Sequence, residues 1–154
     1  TSLFNSSQIP GEILDLTVVR TDVLNRPDGA GKKFAMALTG AWYELLAQMT
    51  NDKILANIAE GSQDTLASYK EQLSTTKMFY TPKEAAAFGA SPDLKQKMGL
   101  VRQFCFDHGL LGASTKSVDD VGIKYPDGSV QGKADRVRLV FDVSFMQLAA
   151  QGKL

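Results

Sequence analysis

The sequence of 154 residues is poor in soft metal ligands: it has one cysteine, Cys105, and one histidine, His108. A lone thiol closes no internal disulfide, and one Cys with one His cannot build the nitrogen–sulfur shell of a zinc site, so neither a metal nor any other cofactor is expected. A surplus of one charge is also missing. Basic and acidic residues balance at 17 each, with 7 against 9 over residues 1–77 and 10 against 8 over residues 78–154. Nucleic acid and anionic membranes demand a basic surplus, so neither is expected as a partner. No apolar run approaches the roughly 20 residues that cross a bilayer. The nearest thing to a phosphate loop, Gly29-Ala30-Gly31-Lys32-Lys33, lacks both the spacing and a preceding strand of adequate length. Thr1 opens the chain without a basic segment and apolar leader, as expected of a processed form or a piece of a longer chain.

What is there has the proportions of one ordinary domain, 44% apolar and 22% charged, enough for a single core. Pro10-Gly11 marks a turn, and the β-branched run Ile13 to Val19 reads as a buried strand. After Asn25-Arg26-Pro27-Asp28-Gly29, the residues Phe34, Leu38, Ala41, Trp42, Leu45 and Met49 recur at the spacing of one helix face, with Trp42 expected in the core. Asp52 to Glu60 reads as a second helix capped by Thr50 or Asn51 and ended by Gly61, and Ser62 to Leu73 as a third. Thr81-Pro82-Lys83-Glu84 is a capping box with proline at the first helical position. Ser91-Pro92 repeats the device ahead of Leu94, Met98, Val101, Cys105 and His108, with Gly109 as the stop. Ser117 to Asp120 suits one short turn, Tyr125 to Ser129 a hairpin between Ile123 and Val130, and Val137 to Phe141 a strand. Asp142 then caps a terminal helix closed by Gly152, and Phe141 is placed to pack on Met146. The sum is a helix-dominated α/β chain with two or three short strands. One early strand followed by five helices cannot complete a doubly wound sheet, so strands are missing.

Candidate chemistry is sparse. Cys105 and His108, at i and i+3, have the types of a thiolate–imidazolium pair. They read equally as a buried thiol beside a histidine that suits a helix C-terminus. Asp119, Asp120 and Asp127 lack the alternating oxygen ligands and final glutamate of a calcium loop and read as surface acids. Ser6, Ser7, Gln8, Glu12 and Asp15 gather hydrogen-bonding groups just before the first strand, where α/β folds place ligand sites.

The stretch from Ser6 to Leu24 (Ser6-Ser7-Gln8-Ile9-Pro10-Gly11-Glu12-Ile13-Leu14-Asp15-Leu16 and onward), followed by Ala41-Trp42-Tyr43-Glu44, resembles the periplasmic substrate-binding proteins of ABC importers. It is most similar to the group around the nitrate, sulfonate, taurine and thiamine-precursor binders, in particular the urea- and amide-related members. Val140-Phe141-Asp142-Val143-Ser144-Phe145-Met146-Gln147-Leu148-Ala149-Ala150 resembles that group's C-terminus. The resemblance implies the helix-dominated C-terminal portion of a two-lobe periplasmic binding protein-like fold. In it residues 1–13 end the second lobe, 14–20 form the return crossing strand, and 21–154 are the helical part of the first lobe, all within one unit, 1–154. It implies a periplasmic protein that captures a small polar solute between its lobes and hands it to a permease, with no catalytic step. Ser6, Ser7, Gln8 and Glu12 would bind the ligand, the first three by hydrogen bonds and Glu12 as counter-charge to an amine or amidinium. Two other readings stand beside it: an enzyme like that of thiamine-pyrimidine synthesis, and a stand-alone helical interaction module. A homodimer of the chain, covering faces that absent strands would otherwise cover, is expected.

Overall fold

The computed structural model describes residues 13–154. Helix dominates, with one small mixed sheet, as the hydrophobic spacing requires. Helices α1 (Thr21–Leu24), α2 (Ala30–Leu46), α3 (Asp52–Gly61), α4 (Leu66–Thr75), α5 (Pro82–Gly89), α6 (Pro92–Asp107) and α7 (Ser144–Ala150) are joined by strands β1 (Gly122–Lys124), β2 (Val130–Gln131) and β3 (Val137–Val140) and two 3-10 turns. Two compact units result, one made of the described residues up to Glu84 with Phe145–Leu154, the other of Ala85–Ser144.

In the first unit, α2 begins where Asp28 accepts from the Ala30 N–H at 3.0 Å and Gly29 takes φ +70°, a conformation that costs glycine nothing. Gly31 lies so close to α1 that a Cβ there would collide with the Val23 carbonyl and the Leu24 backbone. Gly31 therefore serves a close helix-to-helix approach, while Gly29 supplies the left-handed turn ahead of α2. Asn51 caps α3 through the Lys53 N–H. Gln63 at φ +58° and an Asp64 N–H donating to the Ala59 carbonyl then consume four residues, so the third helix starts at Leu66 rather than Ser62, with Thr65 as its cap. Leu46, Met49 and Leu55 are buried, with Tyr43, Ile58, Leu66, Tyr69, Leu73 and Met78 packed on them. Lys70 on α4 meets Asp52 on α3 at 2.7 Å.

Two expectations fail in this unit. Trp42 is half exposed although it lies four residues from buried Leu46 and seven from buried Ala35, and so on the same side of α2; that side covers the small Gly31 and Ala35 and leaves the larger indole half in water. Ile13 to Val19 is neither buried nor paired. It has no regular secondary structure, and Ile13, Leu16 and Val18 are 68%, 50% and 73% exposed. A strand exists only by pairing, and every strand among the described residues belongs to the second unit.

The second unit starts within α5, whose capping box forms as read: Thr81 Oγ1 accepts from the Glu84 N–H, and Glu84 accepts from the Thr81 N–H at 3.2 Å. Ser91 caps α6 through the Leu94 N–H, and Gly109 at φ +67° ends it. The buried row of α6 is Leu94, Met98 and Arg102, while Val101 is exposed and Cys105 only partly covered. β1 lies at the centre of the sheet, antiparallel to β2 (Ile123 opposite Gln131) and parallel to β3 (Ile123 opposite Leu139). Asp142 accepts from the Ser144 N–H at 2.8 Å, one position ahead of where a cap of α7 (Ser144–Ala150) would stand. Phe141 stacks on Tyr125, ring centroids 5.8 Å apart, which gives it a partner other than the expected Met146.

Candidate functional site

Polar chemistry in the described residues concentrates in the second unit, around α6 and the β1–β2 hairpin. Lys95, one turn into α6, donates to Ser129 Oγ at 2.6 Å, lies 3.5 Å from Asp127, and holds its ammonium 5.5 Å from the centre of the Tyr125 ring. Tyr125 donates its phenolic O–H to the Gln131 side chain, and Gln131 donates in turn to the Lys95 carbonyl at 3.0 Å. Asp127 accepts from both the N–H and the hydroxyl of Ser129, which lowers its pKa, while burial raises that of Tyr125. The hairpin turn is thereby fastened to the start of α6. Between them, residues including Ser91, Pro92, Lys95, Tyr125 and Asp127 enclose about 100 Å³, far below the several hundred Å³ of typical small-molecule pockets. The ammonium is committed to Ser129 and Asp127, so the cluster works as a clamp on the hairpin.

A second polar group lies farther along α6. Arg102, buried, donates to the carbonyls of Val121 (2.9 Å) and Val118 (2.8 Å) and to Asp119 at 3.2 Å. Asp120 closes the Ser117 capping box and accepts from Lys133 at 2.7 Å and from the N–H groups of Lys116 and Ser117. With Lys133 the chief cause, its carboxyl is held at about 2. Asp119, Asp120 and Asp127 are thus divided among Arg102, Lys133 and Ser129. Among the described residues no group of three His, Cys, Asp or Glu side chains could hold a metal ion.

Cys105 and His108 form no hydrogen bond with each other. His108 Nδ1 engages the Phe104 carbonyl at 2.9 Å, and its ring stacks on Phe104 at 4.0 Å. His108 thus sits at the helix C-terminus as the structural reading has it, while Cys105 is only partly covered and not the buried thiol of that reading. In the first unit an open groove of about 640 Å³ runs along α2, lined by residues including Met36, Gly40, Tyr43, Glu44, Ala149 and Leu154. Its walls are mostly small and apolar, with Glu44 the one charged group, and burial raises the Tyr43 pKa.

The residues expected to bind ligand, Ser6, Ser7, Gln8 and Glu12, lie outside the described residues. Sequence reasoning missed Arg102 and the Lys95–Tyr125–Gln131 linkage. The signal for Arg102 was present in the row of Leu94, Met98 and Arg102 at intervals of four, which continues an apolar face onto a charge. No protein-family profile matches the chain, and no curated protein or solved structure matches it.

Proposed function

We propose that the chain is part of the solute-binding component of an ABC transport system. It captures a small polar solute, of the nitrate, sulfonate, taurine or urea type, between two lobes in the periplasm and delivers it to a permease without turnover. The observation that carries this reading is the ordered pair of sequence resemblances, Ser6 to Leu24 with Ala41 to Glu44, and Val140 to Ala150. The helix-rich architecture with a small mixed sheet is compatible with an α/β lobe. The exposure of Ile13, Leu16 and Val18, unpaired among the described residues, also supports it, because an apolar β-branched run left in water is costly until neighbours cover it. In this reading residues 14–20 are the return crossing strand, whose neighbours lie in the rest of a two-lobe protein. Ser6, Ser7 and Gln8 hydrogen-bond the solute, and Glu12 balances a positive group on it.

The test is made on the native protein from its source. The expected result is a chain of about twice this length whose thermal midpoint rises with a small nitrogen-containing or anionic solute, as binding to the folded state requires. The rise should be lost in Glu12→Ala. A native mass of 16.7 kDa with no solute-dependent shift, or chemical conversion of the bound solute, would overturn the reading.

A further inference from the structure

Along α2 a row of large apolar side chains faces water: Phe34, Leu38, Trp42 and Leu45 are 62%, 41%, 49% and 37% exposed. Soluble monomers scatter such residues singly, and a contiguous row marks a surface that meets something. Positions 34, 38, 41 and 45 follow the alternating four- and three-residue spacing of a two-helix seam, with Ala41 exposed between its larger neighbours. The seam extends about 16 Å at 1.5 Å per residue.

Charge selects the occupant. Lys33 and Glu44, both exposed, stand at opposite ends of the seam and are separated by eleven residues, about three helical turns, so they share one flank of the row. Among the described residues, neither has an ion-pair partner. A flank that is positive at one end and negative at the other complements itself only when it meets a reversed copy. A parallel copy would set Lys33 against Lys33 and Glu44 against Glu44 and would align the two helix dipoles unfavourably.

We propose that α2 is a self-association surface, on which two copies of the chain pack antiparallel about a two-fold axis. Phe34 of one copy lies against Leu45 of the other, Leu38 against Ala41, and each Lys33 reaches the opposite Glu44. The contact is isologous and closes at two copies. The exposed parts of these side chains, with their flanks, amount to roughly 1,000 Å² over both copies, below the 1,200–2,000 Å² of stable complexes. An interface of that size is expected to be weak and reversible. The inference does not rest on the solute-binding reading, which makes no use of the charge order along α2.

Sedimentation equilibrium of the full chain, at loadings from roughly 5 to 500 µM to bracket a weak, reversible association, is the test. The expected result is a mass rising from 16.7 kDa toward twice that value, with the emission of Trp42, the sole tryptophan, moving to shorter wavelength in step. Lys33→Glu and Glu44→Lys should each weaken association tenfold or more by placing like charges together. The double variant, or an equimolar mixture of the two single variants, should restore it. Both positions are exposed, so circular dichroism should confirm unchanged folding. A chain that stays monomeric throughout, or an association that the single charge reversals leave unmoved, would overturn the proposal.

Discussion

Arg102 reaches out of the middle of α6 to the Val121 carbonyl, 2.9 Å away, and so ties the helix to the residue that leads into β1. The Val118 carbonyl and Asp119 accept from the same guanidinium. The carbonyl contacts are largely enclosed, while Asp119 is mostly open to water. Removing the guanidinium leaves acceptors without partners, and Arg102→Ala should cost about 2–4 kcal/mol in urea unfolding. Asp119→Asn keeps the carbonyl bonds and should cost under about 1 kcal/mol. Equal losses in the two variants would show that the ion pair, and not the carbonyl contacts, carries the interaction.

Gly132 separates two effects that usually travel together. It takes φ +86°, and a Cβ there would stand 2.7 Å from Arg102 Nη2 and 3.1 Å from the Asp119 carbonyl. Gly128, at φ +83°, has nothing within 4 Å. Gly128→Ala should therefore lose only the conformational term, about 1–2 kcal/mol, while Gly132→Ala adds the displacement of Arg102. Unfolding free energies that agree within error would mean that Arg102 moves aside at no cost.

Much of the helix layout was legible because caps are local. Asn51, Thr81 with Glu84, Ser91, and Ser117 with Asp120 each hydrogen-bond within a few residues, and such pairings can be read from neighbouring letters, whereas the Thr65 cap was hidden behind an apolar spacing that ran back to Ser62. Which side of an amphipathic helix becomes covered is not local. Phe34, Leu38 and Leu45 are as apolar as a core row, yet the packing buries Ala35 and Leu46 instead. Ile13 to Val19 has strand composition, but pairing is a property of a neighbour that the segment does not encode. Arg102 escaped notice because a charge continuing an apolar row reads as solvent-facing until carbonyls close around it.

The contrast between Leu94 and Trp42 can be measured directly. Leu94 is 1% exposed, and Leu94→Ala should cost about 2–5 kcal/mol through lost transfer energy and the residual cavity. Trp42, half exposed, keeps only part of its area from water and leaves no closed cavity, so truncation to Ala should cost about 2 kcal/mol at concentrations where the chain is monomeric. Chemical unfolding of the two variants checks both values, and a larger loss at Trp42 would place it in the core after all.

The Asp120–Lys133 pair sets an acid limit on stability. Hydrogen bonds from Lys133 and from the Lys116 and Ser117 N–H groups hold the Asp120 carboxyl at about 2, below its value in an unfolded chain. A carboxylate with a lowered folded-state pKa stabilises fully above its unfolded value, and the contribution is lost as pH falls toward the folded value. Lys133 is shifted upward by the same hydrogen bond, so its contribution is present below the ordinary lysine range and is lost as pH rises through the raised value. Melting midpoints should fall between about pH 4 and pH 2, and Asp120→Asn should flatten that slope. Part of the acid dependence should survive in the variant, because Asp127 is also lowered, chiefly by the Ser129 hydroxyl. Carbon-detected titration of the Asp120 carboxyl is the direct readout. A midpoint in the ordinary carboxylate range would mean that the Lys133 contact is not held in solution, and the variant would then melt in parallel with the parent across the whole acid range.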